Sequence, residues 1–462
     1  MQKRNFTTYN LIGLLFLTTS CTQDESAGED TGSEIGHIEF RAALPQLTTR
    51  ATEVSSSSLE NFEVSSFTIG PSTETPYFLN KTFAKNTVTG KFISYDPKCI
   101  WPNNNDLLKF IAYAPTCENL RKAGNFGETD FTFTPIAAGE TVAEGEYRLS
   151  NFKVANDIAS QIDFITATTS GRLIDNDEEG VTLDFQHQLS RIELKAWGAS
   201  KSYDIEIAGV RLGGVATQGE FSFTTAAGAT DATKASGWVS VVKGDVEYIF
   251  RAGDRIISLD KTESSPLSAD KAVSILGAGV GAGEGYDNSA MVIPSNNEAW
   301  AYKNNADNGS AHTDGMYFSV LLRVTDTTPY DNGKLIYPYA DDNDGMERVY
   351  MAVDKSSQEI VKTRVYRQGD SYFTDPGLTT SYDINANNAE VKVYGWAALP
   401  VNAQWEPGHI YTYTLNYSDG VGLVDPLDPH PGEPIISDRV IVNVAVTDWK
   451  AGSKTDVSVP RK

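Results

Sequence analysis

Apolar residues alternate with polar ones along most of the chain. Ile38, Phe40 and Ala42 share one parity, as do Phe62 and Val64, and Leu108, Phe110 and Ala112. Phe131 and Phe133 flank a threonine. Tyr411, Tyr413, Leu415 and Tyr417 define one strand face, and Val440, Val442, Val444 and Val446 another. A period of two with β-branched and aromatic residues predicts half-buried strands. The intervening clusters Asn103–Asp106, Gly124–Gly127 and Asn304–Gly309 are turn chemistry. The pattern predicts an all-β chain built as one or more sandwiches. The one helix it suggests lies near Asn156–Ile165, capped by Asn156 or Asp157. No internal repeat at a fixed period is found.

The parity breaks once. Leu183, Phe185, His187 and Leu189 occupy odd positions, whereas Ile192, Leu194 and Ala196 occupy even ones. A strand cannot invert its faces without a bulge or a break, because one residue of slip moves every side chain to the other side. Either a domain boundary just before this stretch, near 181, or a bulge within one sheet accounts for the switch.

The N-terminus departs from the strand pattern. Lys3 and Arg4 precede an apolar core, Leu11–Leu17, and then Thr18-Thr19-Ser20-Cys21. This is the form of an export signal, too short to anchor by spanning. The cysteine after small residues looks like a lipobox, with cleavage before Cys21 and lipid on its thiol. Several acyl chains on one cysteine hold a folded domain at a membrane. An acidic, Ser/Gly-rich tether follows to about Ser33.

The 462 residues carry 38 Lys+Arg and 61 Asp+Glu, a net charge of −23. That excludes a nucleic-acid binder, which needs a basic face to displace counterions from phosphates. It also opposes electrostatic docking on anionic lipid. Besides Cys21 there are only Cys99 and Cys117. A hairpin turning at Asn103–Asn105 would set Cys99 opposite Lys109, so register does not imply a disulfide, although an exported chain permits one.

Candidate chemistry is sparse. None of His37, His187, His312, His409 and His430 stands at metal-ligand spacing from another. His187 falls on an apolar face and reads as a satisfied core histidine. The run Gly277–Gly285 lacks the GxGxxG spacing and a following helix, so it reads as a surface loop. Asp341–Gly345 has its glycine one place early for a calcium loop and no closing Glu, so it reads as an acidic turn. No nucleophile elbow occurs. The seven tryptophans are scattered, as core anchors are, more than as a carbohydrate platform. No catalytic residue, cofactor or metal site is expected, and the chain does not read as an enzyme.

Several stretches, in order, resemble the fimbrillin family, the subunits of type V pili in Bacteroidetes. They are the lipobox with its acidic residues; Ile38–Ala43 and Thr49-Arg50-Ala51; Trp101-Pro102 with Leu107–Pro115; Gln161–Ala167 leading to Leu183–Ile192; Gly214–Phe223; Met291–Pro294; Trp405–Gly408 with Tyr411–Leu415; and Asp425-Pro426 before Val440–Trp449. The region 225–400 carries fewer such residues. The resemblance implies two transthyretin-like β-sandwich domains after a lipoprotein signal peptide: signal 1–20, tether 21–35, N-terminal domain 36–181 and C-terminal domain 182–462 with its terminal strand. It implies a surface-exposed, outer-membrane lipoprotein that becomes part of a fimbrium. Cleavage by an arginine-specific protease between Arg50 and Ala51 would release Cys21–Arg50 with the first strand, and a strand of another subunit would fill the groove. The strand holding Val440, Val442, Val444 and Val446 is either such a donor or the last strand of its own domain. The loop Asp419–Glu433, rich in proline, would lead the chain to it. The expected partners are other pilus subunits by strand addition, the outer membrane through lipid on Cys21, and a host protein or glycan as adhesion ligand. The alternative is a surface lipoprotein that binds glycan and never polymerises.

Overall fold

The computed structural model of the chain describes residues 36–43, 59–69, 74–95, 98–122, 132–133, 147–156, 158–176, 179–223, 237–243, 248–259, 272–277, 289–301, 315–339 and 345–449. Cys21, Arg50 and Ala51, most of the glycine run and Asp341–Asp344 lie outside these residues.

The regular secondary structure of the described residues is almost all β-strand. The first sheet has eight strands in the order Gln186–His187, Ile165–Gly171, Leu108–Ala114, Asn61–Ile69, Glu74–Lys85, Phe92–Ile93, Glu39–Ala43, Val181–Asp184. Its two edge strands are consecutive in sequence, separated only by Phe185. The sheet therefore curls until its edges meet, around a core of Phe40, Phe62, Phe83, Phe92, Phe110, Phe185 and Trp101, all buried. Alternating aromatic residues on twisted strands fill such an interior from every side.

The chain leaves this sheet after His187 and enters a five-stranded sheet at Ser190–Trp197. The parity switch is thus a change of sheet, not a bulge. Before the switch, Val181–Asp184 pairs with the first strand and Gln186–His187 with Ile165–Gly171. In the new sheet Ser190–Trp197 runs parallel to His409–Asn416 over seven residue pairs, and Ile441–Asp448 forms the edge beyond. A nine-stranded sheet, whose centre is Tyr203–Gly213, Tyr317–Asp326 and Ala389–Pro400, faces it. Phe318 meets Tyr413 across the gap at 4.9 Å. Two sheets closing over one apolar layer make a sandwich. A four-stranded sheet joins Tyr147–Lys153, from the first part of the chain, to Ala216–Ser222 from the second.

Three local expectations change. No hairpin turns at Asn103–Asn105: the residues before it bridge the N-terminal segment, His37 pairing with Ile100, while Leu108–Ala114 pairs with strands from elsewhere. The helix expected near Asn156–Ile165 is a single 3-10 turn, Ile158–Ser160, and Ile165 already begins a strand. The β-branched run Ile165, Thr166, Thr168, Thr169 explains the preference. Two short helices, Cys117–Lys122 and Leu173–Asn176, have no counterpart in the alternation pattern. Cys99 and Cys117 are buried free thiols, and burial pushes Cys117 up to about 12.

Candidate functional site: the seats of the first and last strands

The first strand, Glu39–Ala43, is short and weakly flanked. On one side it meets the two-residue strand Phe92–Ile93, antiparallel; on the other it runs parallel to Val181–Asp184 over four pairs. Bonds at its ends extend the hold. The Ile38 amide donates to Cys99 O (2.9 Å), Trp101 N–H to Gly36 O (3.1 Å), and Phe185 N–H to Ala43 O (2.9 Å). Gly180 lets the neighbouring turn approach: a Cβ there would sit 2.9 Å from Glu39 O, and its φ of +76° is unfavourable for other residues. Lys91 Nζ pairs with Glu39 at 2.7 Å, and Arg41 with Glu179 at 2.6 Å on the surface.

Side chains supply most of the attachment. Ile38 and Phe40 are buried, and Ala42 is half-buried. The Phe40 ring meets Phe83 at 4.8 Å, Phe110 at 5.1 Å and Phe62 at 6.1 Å, all edge to face. A fully buried Phe or Ile contributes about 1.5–3 kcal/mol. Emptying this seat would open an aromatic groove beside two unpaired strand edges.

The last strand, Ile441–Asp448, pairs over eight residues with His409–Asn416 and forms a sheet edge. Val442, Val444 and Val446 are half-buried against the sandwich core, as is Val440 just before the strand, while Ile441, Asn443 and Ala445 face out. Its far end is fastened at the junction with the first sheet. Trp449 is fully buried; its amide donates to Gly408 O at 2.6 Å, and its ring stacks on His187 at 4.2 Å with planes 3° apart. His187 Nδ1 lies 2.8 Å from the buried Asp163, and the Arg191 guanidinium lies 5.2 Å from the Trp449 ring. His409 Nε2 reaches Asp448 at 3.3 Å. His187 is therefore a core residue that joins the end of the terminal strand to the first sheet.

The loop leading to that strand is held from within. Asp425 is buried, 2.8 Å from Arg211 Nη2, and accepts a hydrogen bond from Ser319. Arg211 lies 4.1 Å from the Trp396 ring. The Asp425-Pro426 pair is legible in sequence. Its partner is signalled only by a charge, Arg211, between Val210 and Leu212. The tryptophans bear out their reading as core: Trp101, Trp300, Trp396, Trp405 and Trp449 are buried and Trp197 and Trp238 half-buried.

A family model described as fimbrillin-like matches residues 49–313. Among solved structures, a fimbrial protein from Bacteroides vulgatus is 13% identical, covering 90% of this chain and 99% of its own, with a TM-score of 0.45. A putative cell adhesion protein from Parabacteroides distasonis is 9% identical, with coverage of 89% and 99% and a TM-score of 0.40. The fimbrial anchor protein Mfa2 from Porphyromonas gingivalis is 10% identical, with coverage of 90% and 99% and a TM-score of 0.27. No curated protein sequence matches.

Proposed function

The chain belongs to the fimbrillin-like family, and from that premise we propose that it is a structural subunit of a cell-surface pilus, assembled by strand addition. In this reading the precursor is exported, acylated on Cys21 and held at the outer membrane. A protease cuts between Arg50 and Ala51, the segment Cys21–Arg50 leaves with the first strand, and a strand from another subunit takes its seat. The chain forms two sandwich domains, divided where it passes from the curled sheet to the facing sheets.

The observation that carries the reading is the seat of Phe40. A five-residue strand with one side chain at the centre of an aromatic core is separable from the rest at a definable place. What remains is a groove with backbone donors and acceptors on both sides, which is the template that strand addition requires. The terminal strand has the alternation a donor needs, since Val442, Val444 and Val446 share one face. Within a single chain it fills its own sheet edge, so donation requires its release from His409–Asn416.

Immunogold microscopy of cells expressing the wild type and Arg50→Ala, with N-terminal sequencing of the surface form, tests this. Labelled fibres whose subunits begin at Ala51, absent in the variant, support the proposal. Label confined to the membrane with the N-terminus uncut in the wild type would overturn the cleavage and with it the polymerisation route.

A further inference from the structure

Among the described residues, the sheet edges are guarded in different ways, and one is not guarded at all. Most edge strands are four residues or shorter. The two longer ones, Gly237–Lys243 and Tyr248–Ser258, each shift register against the neighbouring strand, and the second carries Arg251, Asp254 and Arg255. Short length, bulges and charges are the usual means by which an edge avoids pairing with another chain.

The terminal strand Ile441–Asp448 has none of these. It pairs with His409–Asn416 over eight residues without a shift, and no described strand lies on its other side. From Ile441 to Thr447 it carries no charge and no proline, in a chain of net charge −23. Alternate residues of an antiparallel edge strand point N–H and C=O away from the sheet. Those groups run beside Val442, Val444 and Val446, which the sandwich covers only in part. A further strand laid along this edge would pair the backbone and cover the valines together.

The strand is complementary to itself. An antiparallel copy about a two-fold axis through Val444 sets Val442 opposite Val446, Asn443 opposite Ala445 and Ile441 opposite Thr447. Paired residues share a face, so the valines stay on the half-covered side in both copies. An axis one residue on, at Ala445, would set Val442 opposite Asp448 and Ile441 opposite the buried Trp449. An axis between two residues would invert the faces. At each end of the favoured register the exposed Arg439 of one copy comes beside Asp448 of the partner subunit, with Asp438 one residue further out. Like copies of an acidic chain thus meet along an uncharged strand, with an opposite-charge contact at both ends.

We propose that this edge binds a second copy of the chain, strand against strand, in a symmetric dimer whose two five-stranded sheets run on into one. The dimer needs neither cleavage nor the loss of a strand, so it stands apart from the pilus reading. It touches that reading in one respect. A terminal strand held on both sides is not available for donation until the dimer parts.

Sedimentation velocity of the full, unacylated chain in reductant, over a range of concentrations, tests this alongside amide hydrogen exchange. The paired stretch is shorter than the roughly 20–30 residues a side of a stable complex, so we expect a monomer–dimer equilibrium in the micromolar range. Exchange along Ile441–Thr447 should slow as the dimer fills, with Tyr317–Asp326 unchanged. Ala445→Lys places an outward ammonium near the axis in both copies. It should raise the dissociation constant by at least about tenfold with the melting temperature unchanged, and Arg439→Glu should raise it less. Three results would overturn the proposal. They are a chain still monomeric at roughly 100 µM, a dimer undiminished by Ala445→Lys, or protection of every amide in the strand at all concentrations, which would mean that residues 450–462 of the same chain cover the edge.

Discussion

Asp428 is a carboxyl group drawn out of water beside a second one. Burial, reinforced by Asp425, pushes it up to about 7, against the lowering effect of the Glu347 N–H that donates to its Oδ1 at 2.6 Å. An unfolded aspartate titrates near 3.9. Between these values the folded chain holds a proton that the unfolded chain has released. Stability contributed by this group is therefore present at about pH 4 and is lost as pH rises toward about 7, above which it levels off. Asp428→Asn keeps an acceptor for the Glu347 amide and removes the titration. The variant should exceed the wild type in stability at pH 8 by up to about 4 kcal/mol, and the gap should close by about pH 4. Parallel denaturation curves at several pH values check this, and a gap independent of pH would contradict the account. Nothing local in the sequence marks Asp428 as different from Asp419 or Asp438. Its environment comes from Arg211, Tyr337 and Glu347, which chain distance hides and only the fold assembles.

Alternation is enough to find the strands, because each has one dry face. It fails where a second signal is needed. The stretch near Asn156–Ile165 reads as a capped helix, yet it holds one 3-10 turn and the threonines that follow commit the chain to a strand. The parity switch at Ser190 is visible, but not its cause, since a bulge and a change of sheet leave the same trace in one strand. The terminal strand divides likewise into a legible part and a hidden part. Its valines are evident; the fastening of its end by Trp449 is not, because His187, Arg191 and Gly408 come from two other regions. Edge strands open locally at lower free energy than central ones. Trp449→Ala removes the stacked ring while leaving the eight ladder pairs with His409–Asn416. Amide hydrogen exchange should then speed up by about tenfold or more along Ile441–Asp448, with the central strand Tyr317–Asp326 unchanged. Equal acceleration in both would mean that Trp449 supports the whole sandwich and not the strand.

At the scale of the molecule, the two candidate strands occupy opposite kinds of place. Glu39–Ala43 lies between neighbours, with Phe40 inside a closed ring of aromatics, whereas Ile441–Asp448 lies on an open edge with its valines half-covered. Leaving the first seat empties the centre of that aromatic ring. Cutting the chain after Arg50 should consequently not release the first strand by itself: the cleaved segment stays seated until another strand competes for the groove. Native mass spectrometry of chain cut at that bond follows the exchange directly. A synthetic peptide of residues 36–43 should displace the segment, and the same peptide with Phe40→Ala should bind more weakly by at least about 100-fold, given about 3–5 kcal/mol for loss of a buried phenylalanine. A peptide of residues 440–449 asks the further question. Its valines are smaller than Phe40 and leave the centre of the aromatic ring unfilled, so it should enter the groove less tightly than the chain's own first strand unless the groove contracts around it. Displacement by this peptide at equal concentration would identify the terminal strand as a donor matched to that seat. Failure beside success of the 36–43 peptide would assign the terminal strand to its own sheet, and the donor to a different subunit.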